Sequence, residues 1–174
     1  MNKKELLRLL KKKGFSNKVI KAFQEVDRKE FVPQELVKYS YKDIALPLQP
    51  GATISQPSTI AFMLDLLNLK GKENILEIGS GSGYVLALLS KISKGKIYGI
   101  EIIKELAEQS RENLRKYRNV NIIYKDGSKG LKEKAPFDRI LISASVDKLP
   151  MHLYSQLKNH GVLVAPVRES IYQI

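Results

Sequence analysis

A regular alternation of short apolar strands with helices, beginning near residue 72, most constrains how this chain can fold. The hydrophobic pattern predicts strands over residues 74–78, 96–102, 120–124, 137–143 and 161–167. It predicts helices over residues 84–92, 104–117 and 149–157. Strands that alternate with helices form a parallel sheet covered on both faces. Because the crossovers are right-handed, the sequence predicts a doubly wound α/β fold that binds ligands at the carboxyl ends of its strands.

The segment before this core predicts helices and a loop. Leucines at helical spacing indicate a helix over residues 2–13, and a second helix follows Ser16 or Asn17, which can cap it. Residues 39–58 are rich in proline and glycine and are predicted to form a loop, and a third helix follows over residues 58–69. We therefore expect one domain, with residues 1–57 as a helical extension and loop and residues 58–174 as the ligand-binding core.

Composition narrows the possible classes of protein. The chain has 174 residues, 43% of them hydrophobic, which is enough to build a core. It has no cysteine and only two histidines, His152 and His160, so we expect neither disulfides nor a metal site. No apolar run approaches the length of a membrane span, and the first residues lack the apolar stretch of a signal peptide. The sequence predicts a cytoplasmic protein with no membrane partner.

The net charge of +12 raises the question of nucleic acid. The excess is spread along the chain, with +6 in residues 1–50, +2 in residues 51–100 and +4 in residues 101–174. The one run of lysines, residues 11–13, is predicted to end a helix, where cations favour the helix dipole. This distribution favours a solvated basic surface over a specific nucleic-acid site.

A glycine-rich turn between the first core strand and the next helix is the most informative motif. Residues 76–84 read Leu-Glu-Ile-Gly-Ser-Gly-Ser-Gly-Tyr. The third glycine comes two residues after the second, so the dinucleotide-binding fingerprint is not met. An acidic residue, Glu77, precedes the turn, which suits a cationic amino-acid ligand better than a pyrophosphate. S-adenosylmethionine (AdoMet) is such a ligand, since it carries a sulfonium and an ammonium group.

Two further acids follow the next two strands. Glu101 can accept hydrogen bonds from both hydroxyls of a ribose, and Asp126 can meet the amino group of adenine. Each also has a simpler interpretation, since Glu101 could cap the following helix and Asp126 could stabilise a turn. Their succession at neighbouring strand ends, beside the glycine-rich turn, favours AdoMet.

The chain resembles the protein-L-isoaspartate (D-aspartate) O-methyltransferase family from about residue 19 to residue 167. The resemblance is carried by residues 27–33 (Asp-Arg-Lys-Glu-Phe-Val-Pro), 41–43, 46–48, 51–57 (Gly-Ala-Thr-Ile-Ser-Gln-Pro), 76–84, 126–127, 135–138, 156–158 and 161–167. The segment Thr-Ile-Ser-Gln-Pro is its most specific part. The resemblance implies a class I AdoMet-dependent methyltransferase fold and the repair of isoaspartyl residues in damaged proteins, by methylation of their free α-carboxylate.

The resemblance also implies roles for individual residues. Ser55 matches the active-site serine of the family and would contact the substrate carboxylate, although a serine here could also simply precede the helix as a cap. Ser143 and Ala144 would line the substrate cleft. The cofactor would be held by Thr53, Ile54, Glu77, Gly79, Ser80, Gly81, Gly83, Glu101, Asp126 and Gly127.

The chain departs from the family pattern at its end. Members of the family continue into further strands and a segment that helps to cover cofactor and substrate, so the C-terminal strands are expected to be missing or shortened here, in a truncated or a naturally short chain. Two alternatives stay open at this point: an RNA methyltransferase, suggested by the charge, and a non-catalytic AdoMet-binding protein. We expect a monomer that acts on isoaspartyl proteins and peptides.

Overall fold

The computed structural model describes residues 1–49 and 51–174, so Pro50 of the predicted loop lies outside the described residues. The helices are α1 (Lys3–Lys12), α2 (Asn17–Glu25), α3 (Pro57–Leu66), α4 (Tyr84–Ile92) and α5 (Lys104–Asn113). The strands are β1 (Leu46–Gln49), β2 (Ala52–Ile54), β3 (Ile75–Ile78), β4 (Ile97–Glu101), β5 (Val120–Tyr124), β6 (Phe137–Ile142), β7 (Leu157–Val167) and β8 (Ser170–Gln173).

The main sheet has the strand order β5-β4-β3-β6-β7-β8. Its first five strands in that order are parallel, and β8 pairs with β7 in the antiparallel sense. The chain winds from β3 outward to β5 and then returns to place β6 on the other side of β3. The ends of β3 and β6 therefore meet where the winding reverses, which is where ligands bind in such folds. The predicted doubly wound α/β fold is confirmed.

The helices follow from local sequence and from burial. Asn2 begins α1 with a reciprocal capping box, in which its side chain accepts from the Glu5 N–H while the Glu5 carboxylate accepts from the Asn2 N–H. The apolar helix α4 is buried along almost its whole length, from Tyr84 to Ser90. It packs between the sheet and α2, so the N-terminal helices are integrated with the core beneath the glycine-rich turn.

Four local predictions were wrong. The predicted loop over residues 39–58 contains the short antiparallel hairpin of β1 and β2, whose strands are too short to show an alternating pattern. The helix predicted over residues 149–157 is a 3₁₀ segment, Met151–Gln156. The fifth core strand begins at Leu157 and not at residue 161, because the polar residues 158–160 interrupt its apolar pattern. The helix predicted to reach residue 117 ends at Asn113. Among residues 1–49 and 51–174, no helix has the length and apolar character needed to cross a bilayer.

Candidate active site

The glycine-rich turn leaves β3 at the reversal of the sheet and is tied to β4 next to it. The N–H groups of Gly79 and Ser80 both donate to the Ile100 carbonyl, at 2.9 and 3.1 Å. Gly79 has a φ of +81°, which side-chain-bearing residues rarely adopt. A Cβ at this position would lie 2.9 Å from the Cβ of Ala144, which follows β6. The turn thus runs directly against the β6 end and leaves no room for a side chain.

Glu101, at the end of β4, also holds the glycine-rich turn by a hydrogen bond. Its buried carboxylate accepts a hydrogen bond from the Gly81 N–H at 2.7 Å and another from the Ile103 N–H at 2.9 Å. The second bond fixes the residue that precedes α5, but this helix has Ile103 as its N-cap and no hydrogen bond from a capping side chain, so Glu101 is not the cap of α5. Since a carboxylate offers about four lone-pair sites, these two bonds leave acceptor capacity for a ligand.

Glu77, on β3, is a fully buried acid at the site. It has no exposed surface, and its Oε1 accepts from the Ser143 hydroxyl at 2.5 Å. Burial raises the pKa of the Glu77 carboxyl to about 8, opposed by the Ser143 hydrogen bond and reinforced by the negative charge of Glu101. Its other oxygen, Oε2, has no hydrogen-bond partner. A cationic group bound at this oxygen would favour the charged carboxylate over the protonated form, so the site suits a cation.

Ser55 lies in the segment between β2 and α3 and is half-buried. It does not cap α3, because this helix begins after Gln56 with no hydrogen bond from the capping side chain. The capping function belongs instead to Asp43, whose carboxylate accepts from the Ser58 N–H at 2.8 Å. The structure therefore removes the capping interpretation of Ser55 and leaves its hydroxyl without an assigned structural role.

Two adjoining cavities meet at Gly79. The smaller has a volume of about 30 Å³, and its lining includes the predicted residues Thr53, Ile54, Ser55, Glu77, Gly79, Ser80, Gly81 and Ser143. The larger has a volume of about 230 Å³, and its lining includes the predicted residues Gly79, Asp126, Gly127 and Ala144. Ser143 and Ala144 were predicted to line one cleft together, but they face different cavities. Glu101 and Gly83 line neither cavity.

Asp126 lies on the surface beside the larger cavity, in a short 3₁₀ turn. Its carboxylate accepts from the Ser128 N–H at 2.8 Å, as the turn interpretation predicted, and this contact holds the pKa of Asp126 below its usual value. The buried side chain of Gln156 stabilises this turn through two hydrogen bonds of 2.8 Å. Its amide oxygen accepts from the Leu131 N–H, and its amide nitrogen donates to the Lys129 carbonyl. The position of Asp126 therefore depends on Gln156, which belongs to the family resemblance but was not predicted as a site residue.

The comparisons with known proteins agree with this geometry. The whole chain, residues 1–174, matches the family model described as protein-L-isoaspartate(D-aspartate) O-methyltransferase. The chain belongs to this family. A protein-L-isoaspartate O-methyltransferase from Dictyoglomus thermophilum is 44% identical over 168 residues, which cover 95% of this chain and 76% of the relative.

Solved structures with family names have the same fold. A protein-L-isoaspartate O-methyltransferase superposes with a TM-score of 0.87 at 32% identity, covering 95% of this chain and 55% of that chain. A candidate family member from Plasmodium falciparum, in complex with S-adenosyl-L-homocysteine, superposes with a TM-score of 0.85 at 29% identity, covering 100% of this chain and 89% of that chain. These relatives favour the protein-repair interpretation over an RNA methyltransferase or a non-catalytic protein, and they support AdoMet as the cofactor.

Sequence reasoning missed the apolar lining of the larger cavity. This lining includes Ile78, Ile100, Ile102, Ile142, Val146, Pro150 and Leu153. Ile102 is 62% exposed. Its position directly after Glu101, at the end of a strand, could have indicated an apolar residue that faces a ligand. The described residues, 1–49 and 51–174, contain no group of three His, Asp or Glu side chains placed to hold a metal ion.

The buried acid predicts an unusual pH dependence for the ligand-free protein. An acid whose pKa is raised on folding binds its proton more tightly in the native state, so the free energy of unfolding falls as pH rises. For Glu77 this fall extends from its ordinary value of 4.5 to about 8. We expect Glu77→Gln to flatten this dependence, as measured by urea unfolding at pH 6 and pH 9. Glu169→Gln, at an exposed position, is the control, and an unchanged fall in the Glu77 variant would contradict the assignment.

Proposed function

We propose that this chain is a protein-repair methyltransferase that transfers a methyl group from AdoMet to the free α-carboxylate of L-isoaspartyl residues. The observation that carries the proposal is the shared cavity of Ser55 and Glu77, in which the family's serine faces the glycine-rich turn and caps no helix. The proposal treats residues 1–174 as one domain, with residues 1–57 forming the helical extension and substrate loop.

The residues at the turn fit AdoMet. Glu77 has a buried carboxylate oxygen without a partner, which suits the ammonium group, and the absence of a Cβ at Gly79 lets the turn lie against Ala144 between the two cavities. We assign Glu101 to the ribose hydroxyls and Asp126, with Gly127, to the adenine end in the larger cavity. Thr53 and Ile54 complete the smaller cavity through their backbone groups. When bound, AdoMet supplies an electrophilic methyl group on a sulfonium centre.

The chain's own residues need to do little acid–base chemistry. A peptide α-carboxylate has a pKa of about 3.5, so the substrate is already ionised at neutral pH. The Ser55 hydroxyl orients this carboxylate, while Ser143 is held against Glu77 at the wall of the same cavity. Because the reaction joins an anion to a cation, exclusion of water by Ile54 and its apolar neighbours favours it. Orientation and desolvation are therefore the main contributions of the protein.

The remaining predictions about partners extend this proposal. The substrates are isoaspartyl proteins and peptides, to which the spread of positive charge presents a basic surface. Action on nucleic acid is not part of the proposal, because the charge forms no specific stripe in the sequence. The monomeric state and the cytoplasmic location stay predictions from the sequence.

Ser55→Ala tests the proposed function at the reacting end of the site. We expect the kcat for an isoaspartyl peptide to fall about 100-fold, because a misplaced carboxylate loses the in-line geometry. The Kd for AdoMet, measured by calorimetry, should change less than about twofold, since the proposed cofactor contacts are made by other side chains, those of Glu77, Glu101 and Asp126. Ser58→Ala, in the first turn of α3, is the matched control and should keep full turnover. Unchanged turnover in Ser55→Ala would refute the role given to this hydroxyl.

A further inference from the structure

Arg28 is a buried cation that the function described so far does not use. It lies in the 3₁₀ turn Arg28–Phe31 after α2, and only 1% of its surface is exposed. The described residues, 1–49 and 51–174, give it no ion pair. A buried charge without a partner is costly, so a protein retains one only where hydrogen bonds compensate for the lost water.

The compensation comes from four backbone carbonyls of one segment. Nη1 donates to the carbonyls of Ser40 and Lys42, at 2.8 and 3.4 Å. Nη2 donates to those of Ile44 and Ser55, at 3.2 and 3.0 Å. A planar guanidinium can make such a set of bonds, whereas an ammonium group offers its donors from a single nitrogen. The two ends of the substrate loop are therefore joined at one side chain.

The same side chain also lies beside the end of the glycine-rich turn. The Arg28 guanidinium carbon lies 6.0 Å from the ring centroid of Tyr84, the first residue of α4. Tyr84 is buried and follows directly after the glycine-rich turn. Arg28 thus lies between the loop that carries Ser55 and the helix that begins at the turn, with polar or cation–π contacts to both.

Asp27, which precedes Arg28, also binds the loop. Asp27 accepts a hydrogen bond from the Tyr41 hydroxyl, and Tyr41 lies between two of the residues whose carbonyls Arg28 binds. Asp27 is also paired with Lys29, on its own turn. Burial lowers the pKa of Arg28, and the negative charge of Asp43, on the loop, opposes this shift. Asp27 holds a side chain of the loop and Arg28 holds its backbone, so the two contacts act on one segment independently.

We propose that Arg28 is a positioning residue for methyl transfer, whose bond to the Ser55 carbonyl sets where the Ser55 hydroxyl stands relative to the glycine-rich turn. This role rests on the proposed function. Arg28 touches neither substrate nor cofactor cavity and acts through Ser55. A substitution at Arg28 should therefore alter turnover through the same hydroxyl that Ser55→Ala removes.

Arg28→Lys tests the proposal because it keeps the charge and removes the planar fork. We expect the kcat for an isoaspartyl peptide to fall about tenfold or more, with the Kd for AdoMet changed less than about twofold. In the Ser55→Ala background, the same substitution should lower kcat less than about twofold further, because both changes act on one group. If Arg28→Lys does not fold, Arg28→Gln, which keeps amide donors, takes its place with the same expected result.

Arg139→Lys is the matched control. Arg139 also donates to backbone carbonyls, those of Leu67, Asn68 and Asp138, but it lies on β6 away from both cavities. The substitution Arg139→Lys should lower the Tm and leave the kcat for an isoaspartyl peptide unchanged. A folded Arg28 variant with full kcat, or effects of Arg28 and Ser55 that multiply in the double variant, would overturn the proposal. A wild-type protein that methylates no isoaspartyl peptide would instead contradict the proposed function itself.

Discussion

Gly79→Ala is expected to weaken AdoMet binding by about 100-fold. The added Cβ would lie 2.9 Å from the Ala144 Cβ and 3.0 Å from the Ala144 backbone nitrogen, and the φ of +81° adds left-handed strain. Such strain costs roughly 1–2 kcal/mol and overpacking typically costs about 1–3 kcal/mol. Because the turn must move to relieve both, it loses the hydrogen bonds of Gly79 and Ser80 to Ile100. Calorimetric titration with AdoMet measures the effect.

Gly14→Ala separates strain from steric contact. Gly14 follows α1 with a φ of +86°, yet a Cβ there would meet nothing within 4 Å. This variant should lose about 1–2 kcal/mol of stability, from the left-handed backbone alone, and keep the wild-type affinity for AdoMet. Equal affinities for AdoMet in the Gly79 and Gly14 variants would show that contact with Ala144 does not shape the turn.

Glu101→Gln is expected to lower AdoMet affinity by a similar factor, for an electrostatic reason. The carboxylate accepts from the N–H groups of Gly81 and Ile103, and an amide of the same shape can accept through only one of its two terminal atoms. A hydrogen bond to a charged group contributes about 1.5–3 kcal/mol, and both the turn and the proposed ribose contact depend on this acid.

The matched control for Glu101 is Glu105→Gln. Glu105 lies on the exposed first turn of α5, only four residues further along the chain. It should bind AdoMet with wild-type affinity in the same titration. If Glu101→Gln also kept wild-type affinity, the place of Glu101 in the cofactor site would be wrong.

The sequence predicted the sheet well because the signals for its strands are local. Apolar runs such as residues 120–124 and the helix over residues 84–92 have the bounds that hydrophobic periodicity predicts. The hairpin of β1 and β2 was missed, because its pairing depends on contact between strands of four and three residues. The start of β7 was missed for a related reason, since exposed polar residues interrupt its apolar pattern.

The candidate site divides in the same way between local and distant signals. The glycine-rich turn, Glu77 and Glu101 belong to short motifs at strand ends, so their neighbourhood followed from the predicted topology. Arg28 gave no such signal, because its partners lie 12 to 27 residues away and are carbonyl groups, which every residue possesses. The separation of Ser143 from Ala144 also needed the structure, since adjacent residues at a strand end face opposite sides.

The most direct test of the proposed function is methyl transfer from labelled AdoMet to two peptides of identical sequence, one with an isoaspartyl and one with an aspartyl residue. Bulk RNA is included as a third acceptor. We predict base-labile label on the isoaspartyl peptide alone, because a carboxyl methyl ester hydrolyses in base and only the isoaspartyl linkage presents a free α-carboxylate at that residue. Equal labelling of both peptides, or labelled RNA beside an unlabelled isoaspartyl peptide, would contradict the assignment.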